Sequence, residues 1–281
     1  VYTLSATEST DPESLILNTI TPGTFTAVND TDYTKLSEFN GVEQNFFTGD
    51  TAPALAYKEK AMEELTAAGA TFPVKILLTY KSNDTNWENE CILVKEMLES
   101  TLGTDYIDVV LYPGPSESFL SATRRAGVYS LMRCNWGADY ADPETWTDPF
   151  VVKRDSETNA IVGNSYNKMD TMLDSDFEET KSILVPYYAA VAEAKEITGD
   201  TAARYAKFAQ AERMLVDNAL VIPYSMSPAN YILTKLDVFQ GPYAPFGMSN
   251  LRYKYQVLQD HFITEPEYIT NRDAWQQAVG L

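Results

Sequence analysis

Apolar residues recur at helical spacing over several stretches of the chain, and short β-branched runs separate the first of them. Ala54–Ala68 carries Leu55, Met62 and Leu65 on one face and stops at Gly69, which predicts a helix. Val74–Tyr80 is apolar nearly throughout, the pattern of a strand buried on both faces. Asn86–Leu102 has a stripe of Cys91, Val94, Leu98 and Leu102, ended by Gly103, and predicts a second helix. Tyr106–Tyr112 reads as a strand. After Pro113-Gly114-Pro115, Ser116–Arg125 reads as a short helix with Phe119, Leu120 and Thr123 inward, and Tyr129–Asn135 as a third strand. This alternation predicts right-handed crossovers and an α/β layer.

Further along, Asp155–Asn167 is polar enough for a surface loop, and Asp174–Ile197 and Thr201–Asn218 are helical, the second with Tyr205, Phe208, Met214 and Leu215 on one face. Leu220–Tyr224, Tyr231–Leu236 and Tyr253–Leu258 read as strands, Gly241–Gly247 as a packed loop, and Glu265–Leu281 as a short amphipathic helix. Composition changes near Pro53 and after Ser227. The expected organisation is therefore an irregular lead-in over 1–52, an α/β lobe over 53–227, and a final unit over 228–281.

The 281 residues are 44% hydrophobic and 22% charged, a composition that folds. A net charge of −19 argues against nucleic acid, which needs clustered Lys and Arg, and against an anionic membrane surface. Eighteen tyrosines against twelve phenylalanines suit a groove that is half apolar and half wet. No apolar run reaches the ~18 residues of a spanning helix, and no signal peptide is visible, so the chain reads as cytoplasmic or as a processed or truncated piece of an exported protein. Cys91 and Cys134 fit no metal-ligand spacing and are expected to be small buried residues, with a disulfide between them left open.

Catalytic chemistry has little to build on. His261 is the single histidine and lies in a polar segment, where an exposed or locally bonded ring is the plainer expectation. There is no nucleophile elbow, P-loop or dinucleotide fingerprint. The acidic run Asp174–Glu179 lacks calcium-loop spacing and suits a helix N-terminus, and Arg124-Arg125 suit the solvated side of a short helix. Asp139 and Asp142, three apart at a strand end, are the enzymatic alternative: a carboxylate pair of an acidic hydrolase.

The segment from Arg133 to Pro143 stands out. Arg133 and Asp139 bracket Trp136 and Gly137, so a cation, a flat apolar wall, an approachable backbone and an anion lie along one extended stretch. By strand alternation Arg133, Asn135 and Gly137 face one way, and Cys134, Trp136 and Ala138 the other. An extended zwitterion could pair with this edge and give its ammonium to Asp139. The alternative is a glycine turn closing a buried strand, with Asp139 or Asp142 capping the next helix.

The stretch Arg133-Cys134-Asn135-Trp136-Gly137-Ala138-Asp139-Tyr140-Ala141-Asp142-Pro143 resembles the strand-turn W-x-A-D-Y-x-D/E-P of the family 5 solute-binding proteins of oligopeptide and dipeptide ABC importers. The helix ending at Gly69, the run from Ala211 to Tyr224 and the stretch Asn250–Leu258 are similar to the same family in the same order, within its C-terminal half. The resemblance implies a type II periplasmic-binding-protein-like lobe with a mixed sheet flanked by helices, and a binding protein with no catalytic residue, metal or cofactor. It implies that Asp139 holds a peptide ammonium and that Asn135 and Gly137 pair with peptide main chain. Arg133 would line the cleft, assisting a ligand carboxylate in some members, with Trp136 as a wall. The implied partners are a peptide and a membrane ABC permease; the implied state is a monomer outside the cytoplasm, periplasmic or lipid-anchored. Other members bind nickel, haem or opines, and one histidine gives no support to a metal. After Ile222-Pro223-Tyr224, where many members carry further aromatics, this chain has Ser225-Met226-Ser227. Members are also considerably longer, so the chain reads as a fragment whose residues 228–281 return to a first lobe, and which by itself binds weakly.

Overall fold

The structure is a computed structural model that describes residues 17–23, 25–42, 49–152, 157–158, 166–169, 178–226, 233–241 and 254–279. In chain order it contains the two-residue strands β1 (Ala27–Val28) and β2 (Thr31–Asp32), α1 (Ala52–Ala67), β3 (Val74–Lys81), α2 (Thr85–Leu102), β4 (Ile107–Gly114), α3 (Phe119–Ala122), α4 (Glu144–Thr147), α5 (Glu178–Glu196), α6 (Thr201–Asp217) and α7 (Glu265–Val279).

β3 and β4 pair in parallel from Val74↔Ile107 to Lys81↔Gly114, with α2 as the crossover that parallel strands require. Asp84 starts α2 by accepting from the Trp87 N–H at 3.0 Å. Leu78, Tyr80, Trp87, Cys91, Ile107, Val109 and Phe119 form the core of this layer. The outer edge of β4 is covered from α2: Glu99 accepts from the Val109 N–H at 2.8 Å, and Lys95 donates to its carbonyl at 2.6 Å. β4 ends on Gly114, where a Cβ would lie 2.7 Å from the Phe119 ring and 2.8 Å from the Thr123 methyl. Only glycine lets α3 fold back that closely.

The expected third strand, Tyr129–Asn135, shrinks to a single parallel bridge between Leu78 and Leu131. The Ser130 and Leu131 N–H groups both donate to the Leu77 carbonyl, and hydroxyls make the remaining bonds to β3. Leu77 N–H donates to Ser130 Oγ at 3.0 Å, and Thr79 Oγ1 donates to the Val128 carbonyl at 2.8 Å. Beyond Leu131 the chain runs without regular structure to Asp139.

The second core is built by α5 and α6 around Leu184, Tyr187, Val191, Phe208 and Leu215, and Tyr33 and Phe39 from the first forty residues pack into it. β1 and β2 form a small antiparallel hairpin beside Tyr33. Glu212 on α6 is 0% exposed and accepts from Thr21 N–H (2.9 Å), Thr21 Oγ1 (2.8 Å) and Tyr33 Oη (3.3 Å). Burial pushes its carboxyl up to about 7 against those bonds, which pull it down.

Leu220–Tyr224 forms no ladder among the described residues. Tyr231–Leu236 and Tyr253–Leu258, where described, meet in one antiparallel bridge, Leu236↔Leu258. α7 falls where the amphipathic pattern over Glu265–Leu281 placed a helix; its Asn271 donates to Asp237 at 2.9 Å, and Tyr268 and Trp275 pack on Phe239. Most of the polar loop expected over Asp155–Asn167 and of Gly241–Gly247 lies outside the described residues. No helix among them is long and apolar enough to cross a membrane.

Candidate functional site

The stretch from Arg133 to Asp139 leaves the C-terminal ends of the parallel strands, where open α/β layers place their ligand crevices. A concavity of ≈ 460 Å³ lies there, lined by Lys81, Asp84, Trp87, Phe119, Arg133 and Asn135, with Cys134 and serines of the β4–α3 connection. Among the described residues no backbone group of 133–138 pairs with another backbone group. Asn135 and Gly137 are exposed, and a Cβ on Gly137 would meet nothing within 4 Å. Another chain can therefore come up against this edge.

The turn that follows is anchored from inside. Thr145 on α4 is 2% exposed, and its Oγ1 accepts from the Asp139 N–H at 3.1 Å and from Trp136 Nε1 at 3.5 Å. Trp136 is half-buried, edge-on to Tyr166 with centroids 5.0 Å apart. The Asp139 side chain is exposed and accepts no hydrogen bond among the described residues.

Asp142 has a different fate. It accepts from Arg204 Nε at 2.9 Å and Nη2 at 3.1 Å, and from the Glu144 N–H at 2.9 Å at the start of α4. Arg204 also reaches Glu144 at 2.7 Å, and Lys195 bridges Glu144 and Asp148 at 3.1 and 2.5 Å. This network fastens α4 to α5 and α6. Both Asp142 oxygens are taken up in this network, so the Asp139/Asp142 hydrolase is not supported.

The Arg133 side chain is half-buried and already has partners. Its Nη1 donates to Glu90 Oε2, and its guanidinium lies 4.4 Å from the Trp87 ring centroid. The other Glu90 oxygen accepts from Tyr224 Oη at 2.6 Å, and Glu90 is 5% exposed. Burial, and then the bond to Glu90, raise the Tyr224 phenol. Thr145, Glu90 and Trp87 support or line the candidate site without having stood out in the sequence pattern, and Tyr224, noted only within the family resemblance, joins them through Glu90.

Three smaller expectations are corrected. Arg124 is 4% exposed rather than solvated, and with Arg125 it flanks the Tyr166 ring, because α3 folds back on the sheet. Leu120 on that helix is exposed, whereas Phe119 and Thr123 are buried. Cys91 and Cys134 are both free thiols; Cys91 is buried, but Cys134 is exposed because its strand did not form. Desolvation still raises the Cys134 thiol, with nearby Arg124 pulling it down. His261 is exposed between Asp260 (2.8 Å) and Glu267 (3.0 Å), which raise its pKa, and it plays no part in this site.

Known proteins resemble this chain in sequence and in fold. The profile of the bacterial extracellular solute-binding proteins, family 5 Middle, matches residues 13–158, just over half of the 281 residues. The oligopeptide-binding protein AliB of Streptococcus pneumoniae is 26% identical over 93% of this chain and 42% of its own length. AmiA of the same species is 28% identical over 83% of this chain and 35% of its own. The chain thus spans less than half the length of these relatives. Among solved structures, the substrate-binding domain of an oligopeptide ABC transporter from Bacillus anthracis superposes with a TM-score of 0.57 at 21% identity, over 87% of this chain and 41% of that one. A peptide-binding protein of a peptide ABC transporter gives 0.55 at 21% identity, over 75% and 79%. These likenesses carry the fold, the type II periplasmic-binding architecture. The chain belongs to the family 5 bacterial extracellular solute-binding proteins, a family of binding proteins and not of enzymes.

Proposed function

We propose that this chain is part of the extracytoplasmic solute-binding component of an ABC importer and that its ligands are oligopeptides or dipeptides. The observation that carries the reading is the edge 133–139: among the described residues its backbone over 133–138 pairs with no other backbone, it is open at Asn135 and Gly137, and it ends on the exposed Asp139 carboxylate. A peptide main chain pairs with Asn135 and Gly137, its ammonium goes to Asp139, Trp136 forms a wall, and Arg133 lines the cleft. Pairing through the main chain tolerates varied side chains. Residues 53–227 serve as the ligand-binding lobe, with the lead-in 1–52 packed on it through Tyr33 and Phe39, and 228–281 returns toward a first lobe. The protein works as a monomer, periplasmic or lipid-anchored, delivering to a membrane permease.

Calorimetric titration of the full-length protein with a peptide pool tests this. Asp139→Ala is expected to weaken binding by about 10- to 100-fold, the worth of charge-assisted hydrogen bonds. Equal affinity in wild type and variant would remove Asp139 from the site.

A further inference from the structure

We infer that Glu90 is a specificity-determining positioning residue: by neutralising Arg133 it keeps the groove from selecting ligands by their terminal carboxylate. This rests on the peptide-binding reading of the same groove. Arg133 is the cation that lies on the recognition segment itself, and an arginine there would ordinarily be a carboxylate fork. In this fold both Glu90 oxygens are committed, one to Arg133 Nη1 and one to the Tyr224 hydroxyl at 2.6 Å. Glu90 is 5% exposed, so its charge is poorly screened and acts on the guanidinium at contact distance. The Trp87 ring, 4.4 Å from the guanidinium, holds it in place.

The charged residues lining the concavity are Lys81, Asp84 and Arg133; Asp84 is occupied with the α2 N-terminus, and Glu90, behind the lining, offsets Arg133. A ligand carboxylate arriving at Arg133 must displace or share an intramolecular partner that is already in place. A peptide carbonyl needs only a guanidinium N–H and no net charge. The groove is therefore suited to the interior of a passing chain rather than to its end. Tyr224 belongs to the same device, because its hydroxyl holds the second Glu90 oxygen and so sets the carboxylate plane.

The test uses the full-length protein and alanine peptides of three to six residues, each with a free amino terminus, as the free acid and as the C-terminal amide. The readout is the acid-to-amide affinity ratio at each length. Glu90→Gln is expected to raise that ratio by about tenfold at the length whose terminus reaches Arg133, the value of one charge-assisted bond. Glu90→Asp should keep the wild-type ratio, and Glu90→Gln combined with Arg133→Gln should return to it. Lys81 is unchanged throughout, so any preference it sets is common to all variants. An unchanged ratio in Glu90→Gln overturns the inference. So does a wild-type ratio of about tenfold or more at that length, a measurement that tests the claim even if Glu90→Gln does not fold by thermal unfolding. If wild type binds none of the peptides, the peptide reading itself fails; if it binds them and the ratios do not move as stated, only the role of Glu90 does.

Discussion

In the α5–α6 core, polar groups taken out of water are met by partners. Glu212 holds Thr21 and Tyr33, the Tyr187 hydroxyl donates to the Thr147 carbonyl at 2.7 Å, and Arg204 grips Asp142 and Glu144. Across residues 133–139 the reverse holds: the backbone of 133–138 pairs with no other backbone among the described residues, and the Gly137 face and the Asp139 carboxylate stay open at the surface. Leaving polar groups unpaired costs little where water reaches them and several kcal/mol where it does not. An edge can thus be kept ready for a ligand where water reaches it, while the carboxylates and hydroxyls buried beneath it are bonded within the support. Thr145 is the point where the two regimes meet, buried in the support and bonded to the edge.

Substitutions can pull these regimes apart. Phe208→Ala, at a 0% exposed position between the helices, should cost about 3–5 kcal/mol of unfolding free energy in denaturant titration. A loss under 1 kcal/mol would mean that stability resides elsewhere.

Glu212 makes the support sensitive to pH. Its carboxyl holds a proton more tightly folded than unfolded, with the folded pKa pushed up to about 7. The stabilisation is therefore complete below the unfolded carboxylate range and fades as pH rises through about 7. Denaturant midpoints of wild type against Glu212→Gln between pH 4 and 8 should diverge, with wild type losing on the order of 3 kcal/mol relative to the amide. Parallel curves would show that the buried carboxylate does not titrate in this window.

Thr145→Val keeps the shape of the junction but orphans the Asp139 N–H and Trp136 Nε1. It should cost about 1–3 kcal/mol and weaken peptide binding as well, since the turn carrying Asp139 loosens. Stability loss with unchanged affinity would separate the anchor from the site.

The smallest structural effect is expected from Gly137→Ala. With nothing within 4 Å of the new methyl, stability should stay within about 0.5 kcal/mol, while affinity for a peptide laid along the edge drops about tenfold as the methyl meets the ligand backbone. A melt unchanged and a titration unchanged together would move the ligand off this edge.

The elements carried by strong periodicity were legible: Val74–Tyr80 against Val74–Lys81 observed, Asn86–Leu102 against Thr85–Leu102, and Thr201–Asn218 against Thr201–Asp217. Local propensity, caps and one-sided burial agree there. The stretch Tyr129–Asn135 looked equally strand-like, but Ser130 and Thr79 hydroxyls stand in for part of the ladder, a competition that no alternation pattern registers. The exposure of Cys134 follows from that, and the burial of Arg124 follows from α3 packing back on Gly114, where neighbours decide the environment.

What the sequence determined by itself is what neighbours along the chain can enforce: the α/β class, the crossover of α2, the glycine-aspartate turn after Trp136, and the residue types offered to a ligand. What only the tertiary structure decided is which of those residues are free to act. Glu90 lies 43 residues before Arg133, and Tyr224 lies 134 residues after Glu90; Asp142 meets Arg204 across 62 residues. Charge is carried by each residue, but its availability depends on partners that chain folding brings within hydrogen-bond distance. Asp139 and Asp142, three apart and alike in sequence, therefore end as an open acceptor and a closed structural clamp.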